Sequence, residues 1–186
     1  MQVMRLFLAI ELDQALRRQL AEWQKALLPS DPRQRLSLTR VENLHITVKF
    51  LGEVVDDRVT EICTALEEPA RMHPFEANLK GVACFPPRGP VRIVAADVEA
   101  PTEMTELHHR IEEALVPLGF PREGRAYHPH ITLARARMGL PGGYRKDLAS
   151  RLLSGSGASL NVSGLTLMSS DLTKNGPVYT PAKRFI

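Results

Sequence analysis

Apolar positions along the chain switch between two periods. Leu6–Glu11 is a short apolar run that reads as an opening strand. Asp13–Leu28 then sets Leu16, Leu20, Trp23 and Leu27 at helical spacing on one face. Pro29-Ser30-Asp31-Pro32 breaks that helix, and residues 33–43 read as an irregular lead-in. Leu44–Leu51 predicts a strand closed by Gly52, and Asp56–Leu66 a helix. Phe75–Val82 and Val91–Val98 read as strands around a proline-rich loop at 85–90. Thr102–Leu115 predicts a helix with Thr102 as its N-cap and Met104, Leu107, Ile111 and Leu115 on one side. After a loop at 117–125 come a short strand over His130–Ala134, a helix over Lys146–Leu153 and a Ser-Gly connector at 154–157. Val162–Ser169 and Val178–Phe185 close the chain as strands, with a turn near Lys174-Asn175-Gly176. The alternation has no strict βαβ rhythm, so the class is α+β with antiparallel sheets.

Composition narrows this picture only slightly. With 186 residues, 44% hydrophobic and 24% charged, the chain is an ordinary globular protein. A net charge of +3 permits a phosphate-bearing ligand without requiring one. Cys63 and Cys84, without a C-x-x-C, make neither a zinc ribbon nor a disulfide framework. They read as buried, inert thiols in a reducing compartment. Leu6–Ile10 is too short for a signal-peptide core or a membrane span. The default expectation is a cytoplasmic monomer with no membrane association and no obligate protein partner.

A repeat changes the picture more. His45-Ile46-Thr47-Val48 returns as His130-Ile131-Thr132-Leu133, 85 residues later, and both copies sit on predicted strands behind a loop. On a strand, residues i and i+2 share a face. His45 and Thr47 therefore project together, as do His130 and Thr132, while the aliphatic residues between them point into a core. If two similar lobes pack about a pseudo-two-fold axis, two imidazoles and two hydroxyls face one another across a cleft. Two histidines that titrate near neutrality can act as general acid and general base together. Two hydroxyls can hold the non-bridging oxygens of a tetrahedral anion. In-line displacement at a 2',3'-cyclic phosphate suits that set.

Other polar residues give weaker signals. His128-x-His130 with His45 could bind zinc and make a zinc-dependent hydrolase, but His128 has no histidine counterpart at Asn43. A non-catalytic RNA-end binder is the further alternative, although both motifs are intact. His73, His108 and His109 read as surface residues. Lys49 falls on the strand face of His45 and Thr47, and Phe50 on the core face. Arg122, Arg125, Arg135, Arg137, Arg145 and Lys146 cluster around the second motif, as phosphate contacts or as a solvated face.

Together these strings resemble the 2H phosphoesterase superfamily, and within it the RNA 2',3'-cyclic phosphodiesterases formerly called 2'-5' RNA ligases. Leu6–Ile10 matches the family's opening strand, 42–52 and 129–135 match its two motifs with their flanks, and Phe85-Pro86 falls where the family has a similar pair. The resemblance implies one bilobal domain over 1–186, with antiparallel sheets and flanking helices around a central cleft. It implies metal-independent hydrolysis of RNA 2',3'-cyclic phosphate ends to 2'-phosphomonoesters, with weak reverse 2'-5' ligation and no cofactor. His45 then donates a proton to the leaving O3', and His130 accepts one from water. Thr47, Thr132 and Arg135 hold the phosphate, and Tyr127 stacks on a base or ribose. The stretch 38–41 lacks the aromatic residue that the family often carries there. Arg135 lies an odd number of residues from His130, so it reaches the phosphate only if the strand ends or bulges near Ala134.

Overall fold

The computed structural model describes residues 2–27, 36–152, 157–174 and 176–186. The expected break at Pro29–Pro32, most of the Ser-Gly connector and Asn175 lie outside the described residues. The strands are β1 (Val3–Glu11), β2 (Leu36–Leu38), β3 (His45–Val55), β4 (Phe75–Phe85), β5 (Val91–Val98), β6 (His130–Leu140), β7 (Ser159–Val162), β8 (Leu165–Thr173) and β9 (Gly176–Phe185). The helices are α1 (Gln14–Leu27), α2 (Val59–Leu66), α3 (Thr102–Leu115) and α4 (Tyr144–Leu152).

The sequence echo belongs to a larger duplication. The run β1-α1-β3-α2 recurs as β5-α3-β6-α4. The strands form one sheet in the order β7-β4-β5-β6-β3-β1-β8-β9, with β2 paired to β6, and every pairing is antiparallel. Its two halves meet where Ile46 of β3 lies opposite Ile131 of β6. That contact joins the middle residues of the two His-Ile-Thr triplets, so the duplication itself sets the motifs side by side.

Helices cross from one half to the other. α1 packs against β6 and α4, and α3 against β3 and α2. Their buried residues include Leu16, Leu20, Trp23 and Leu27 on α1 and Met104, Leu107, Ile111 and Leu115 on α3, as the periodicity predicts. Burying each such side chain contributes about 1.5–3 kcal/mol. Thr102 is the first helical residue and not the cap. Pro101, extended at φ −61° and ψ 162°, takes that place, and its carbonyl accepts from Met104 N and Thr105 N. β6 runs on to Leu140 because β2 and β5 flank it past Ala134, a tertiary pairing that local pattern does not carry.

Two bulges reverse the strand parity. On β3, Thr47 faces Ala9 and Lys49 faces Leu8, which leaves Val48 as the extra residue. On β6, Thr132 faces Ala95 and Ala134 faces Val94, which leaves Leu133 extra. The burial sequence is the same on both strands over His-Ile-Thr and the next four residues. A bulge places two consecutive residues on one side of the sheet. Val48 and Lys49 therefore both point into the core, as do Leu133 and Ala134. Phe50 and Arg135 come round to the motif face.

Both bulges are secured by polar groups beneath the sheet. Leu133 O accepts from Thr39 N (2.9 Å) and from the buried Gln24 Nε2 (2.8 Å). On the other half, buried Lys49 forms an ion pair with buried Glu112 of α3 and donates to Pro121 O at 2.8 Å. Glu112 also accepts from Glu123 N at 2.8 Å. Two expectations from simple alternation are thereby corrected. Lys49 is a core residue at 2% exposure, and Phe50 is 62% exposed.

Candidate active site

β3 and β6 carry the two motifs, and each histidine sits at the first residue of its strand. The rings are oriented alike. His45 Nδ1 donates to Asn43 O at 2.7 Å, and His130 Nδ1 donates to His128 O at 2.8 Å. A carbonyl only accepts, so Nδ1 carries the hydrogen on both rings and the lone pair of the neutral ring lies on Nε2. His45 Nε2 lies 3.1 Å from Thr47 Oγ1.

The surroundings of the two rings differ. His45 packs against Phe7 (centroids 5.0 Å apart) and edge-on to Tyr179 (5.3 Å). Phe7, Ala9 and Met168 form a small cluster of their own on this face, with Tyr179 against it. Burial lowers the pKa of His45 below the usual 6.5, against the pull of the Asn43 carbonyl, and the charges of Arg17, Arg135 and His130 push the same way as burial. His130 packs against Phe85, with centroids 4.9 Å apart.

Arg135 is exposed on the motif face, and its charge is felt at both His45 and Tyr179. The bulge at Leu133 thus supplies the parity change that the sequence demanded. Phe50 is the corresponding residue of the first motif, and its ring lies 6.0 Å from that of Phe7. The pseudo-two-fold therefore exchanges an exposed aromatic ring for a guanidinium.

Tyr127 does not offer a stacking face to the cleft. Its ring lies parallel to His108, with centroids 4.1 Å apart, and it packs against the main core. Its hydroxyl donates to Thr47 O at 3.3 Å, and burial pushes that hydroxyl's pKa up. His108 is correspondingly not a surface residue. Its side chain is 13% exposed, near Glu112 (3.9 Å), and burial lowers its pKa. Cys63 and Cys84 are half-buried, and burial raises both thiols.

His128 lies beside His130, with centroids 6.4 Å apart, but its Nε2 is taken by Asp97 Oδ1 at 2.9 Å. Among the described residues no group of three His, Cys, Asp or Glu side chains is arranged to hold a metal ion. A surface cavity of about 470 Å³ lies against the solvent face of α3, lined by Arg71, His73, Glu103, Glu106 and Arg110 among others. It contains none of the motif residues. No described helix is long and apolar enough to cross a membrane.

Phe7, Tyr179 and Asp97 gave no signal in the sequence, because their place beside the motifs depends on strand order. Asn43 and His128 did leave one, since each stands two residues ahead of a motif histidine.

A duplicated unit that sets two His-x-Thr strands side by side is the architecture of the two-histidine phosphoesterases. The chain belongs to the 2'-5' RNA ligase superfamily, whose family model matches residues 12–174. It is 32% identical over 182 residues to the RNA 2',3'-cyclic phosphodiesterase of Methanothermobacter thermautotrophicus, covering 97% of each chain. A solved structure from Thermus thermophilus superposes with a TM-score of 0.80 at 29% identity, covering 98% of this chain and 97% of that one. Escherichia coli LigT, solved in complex with 3'-AMP, shares the fold with a TM-score of 0.76 at 24% identity, covering 99% of this chain and 98% of that one.

Proposed function

We propose that this chain is a metal-independent RNA 2',3'-cyclic phosphodiesterase that releases a 2'-phosphomonoester. The observation that carries the reading is the pairing of the two motifs. Each presents an imidazole with its hydrogen on Nδ1 and a threonine two residues on, and the two meet about Ile46 and Ile131. The names of the relatives supply the substrate class.

In this reading the cyclic phosphate lies between the motifs. His130 Nε2 takes a proton from water as the water oxygen attacks phosphorus. The P–O3' bond breaks on the opposite side, and His45, protonated on Nε2, gives its proton to O3'. Solvent then returns both rings to their starting states. Thr47 Oγ1, Thr132 Oγ1 and the Arg135 guanidinium hold the non-bridging oxygens, where charge builds up in the transition state. Phe50 offers the exposed ring on which a nucleobase stacks, in place of Tyr127. The same pair in the same roles joins a cyclic end to a 5'-hydroxyl as a 2'-5' bond, with His130 taking the proton of the attacking 5'-hydroxyl and His45 giving its proton to the leaving O3'. Water at bulk concentration keeps that a side reaction.

Phosphorus NMR of a short RNA ending in 2',3'-cyclic phosphate, incubated with enzyme and excess EDTA, tests this. A 2'-phosphate is expected. A 3'-phosphate reverses the placement of the two ester oxygens, and no turnover until a metal is restored sinks the proposal.

A further inference from the structure

Each motif histidine is oriented by a carbonyl two residues upstream, and a carbonyl orients a ring only if its own peptide is held. On the first motif the holding group is the side chain of Asn43. It is buried, and its Nδ2 donates to Pro177 O of β9 at 2.8 Å. On the second motif the residue in the same place is His128, whose Nε2 donates to Asp97 Oδ1 at 2.9 Å. Asp97 stands on β5 directly opposite His130, and the next amide, Val98 N, donates to Pro129 O at 3.2 Å. Lys80 Nζ lies 3.8 Å from the other carboxylate oxygen. Phe85 closes the arrangement, with its ring against both His128 (5.5 Å) and His130 (4.9 Å).

From this we infer that Asp97 and His128 form an orienting clamp on the His130 ring, the counterpart of the clamp that Asn43 makes for His45. The inference rests on the reading of His130 as the base. A carboxylate only accepts, so His128 Nε2 carries the hydrogen of this bond. With its peptide fixed, the His128 carbonyl holds the hydrogen of His130 on Nδ1 and leaves the Nε2 lone pair for the attacking water. Neither Asp97 nor His128 touches the reacting atoms. Both are positioning residues. Asn43 and His128 thus do one task with different chemistry, which explains why the sequence shows no histidine at both places.

The test is nitrogen-15 NMR of the histidine rings, together with kcat and KM on a nucleoside 2',3'-cyclic phosphate. Wild type, Asp97→Ala, Asp97→Asn and His128→Asn are compared. Wild-type His130 should show the Nδ1–H form alone. Asp97→Ala should show mixed tautomers and a kcat lower by roughly ten- to a hundredfold with KM little changed. Asp97→Asn keeps an acceptor, and His128→Asn repeats the device of Asn43, so both should recover most of the rate. In a His130→Ala background, Asp97→Ala should cost nothing further. An unchanged His130 tautomer and kcat in Asp97→Ala overturn the inference. So does an equal loss in the His130→Ala background, which would make Asp97 a general support of the fold. If wild type hydrolyses no cyclic phosphate, the functional reading fails, and the tautomer measurement still decides the clamp.

Discussion

His45 and His130 are the same side chain in two environments, and the difference bears on their roles. Burial against Phe7 and Tyr179 disfavours the charged form of His45. In its proposed role as general acid, His45 must carry its proton when the substrate is bound. A phosphate anion beside the ring favours the charged form, so on this reading the substrate itself would load the acid. The His45 titration midpoint should therefore lie below 6.5 in the free protein and rise when a 2'-nucleoside monophosphate occupies the site. Carbon-bound imidazole proton shifts followed against pH measure both, and a free-protein midpoint above 6.5 contradicts the assignment. At Arg135 the guanidinium offers two parallel donors, which an ammonium cannot reproduce. Arg135→Ala should lower kcat/KM by about ten- to a hundredfold, on the order of 1.5–3 kcal/mol for hydrogen bonds to a charged group. Arg135→Lys should recover only part of it. Steady-state kinetics decide, and full activity in Arg135→Ala removes this residue from the site.

At the scale of the element, the bulges decide what each strand presents. The period-2 pattern placed His45, Thr47, His130 and Thr132 on one face correctly, because all four precede the bulged residues. It misplaced Lys49 and Phe50, because Val48 shifts the parity and nothing within β3 announces this. The reason lies in another element. Glu112 of α3 and the carbonyl of Pro121 draw Lys49 under the sheet. Removing one member of a buried ion pair leaves the other uncompensated. Lys49→Met should therefore destabilise the protein by about 3–5 kcal/mol, read as a lower urea midpoint. Lys49→Met with Glu112→Leu should regain most of that loss. A single variant as stable as wild type would show that the pair does not secure the bulge.

The whole molecule is a duplication, and the duplication was legible in the sequence because the two triplets kept their identity while their surroundings diverged. The strand order was not legible. β8 and β9, from the end of the chain, join the half built on β1 and β3, while β4 and β7, from either side of the second repeat, join the half built on β5 and β6. Near-symmetry has a consequence for the substrate. On the proposed function, the His-Thr quartet alone would accept a cyclic phosphate in either of two orientations, with O2' and O3' exchanged. Phe50 and Arg135 occupy equivalent places and would break that degeneracy. Phe50→Ala should lower kcat/KM for a nucleoside 2',3'-cyclic phosphate about tenfold or more relative to a base-free cyclic phosphate of a vicinal diol, since base stacking on an aromatic ring is worth about 1–3 kcal/mol. Equal losses on both substrates would count against a role in base recognition.

On the proposed function, two histidines carry the reaction without a metal. The most direct measurement is the single-turnover rate of 2',3'-cyclic phosphate hydrolysis in excess EDTA for wild type, His45→Ala, His130→Ala and the double variant. Full wild-type activity in chelator and large losses in each single variant are expected. The double variant should be scarcely worse than either, because acid and base act as a unit. Wild-type activity abolished by chelator, or a single variant that retains its rate, would contradict it.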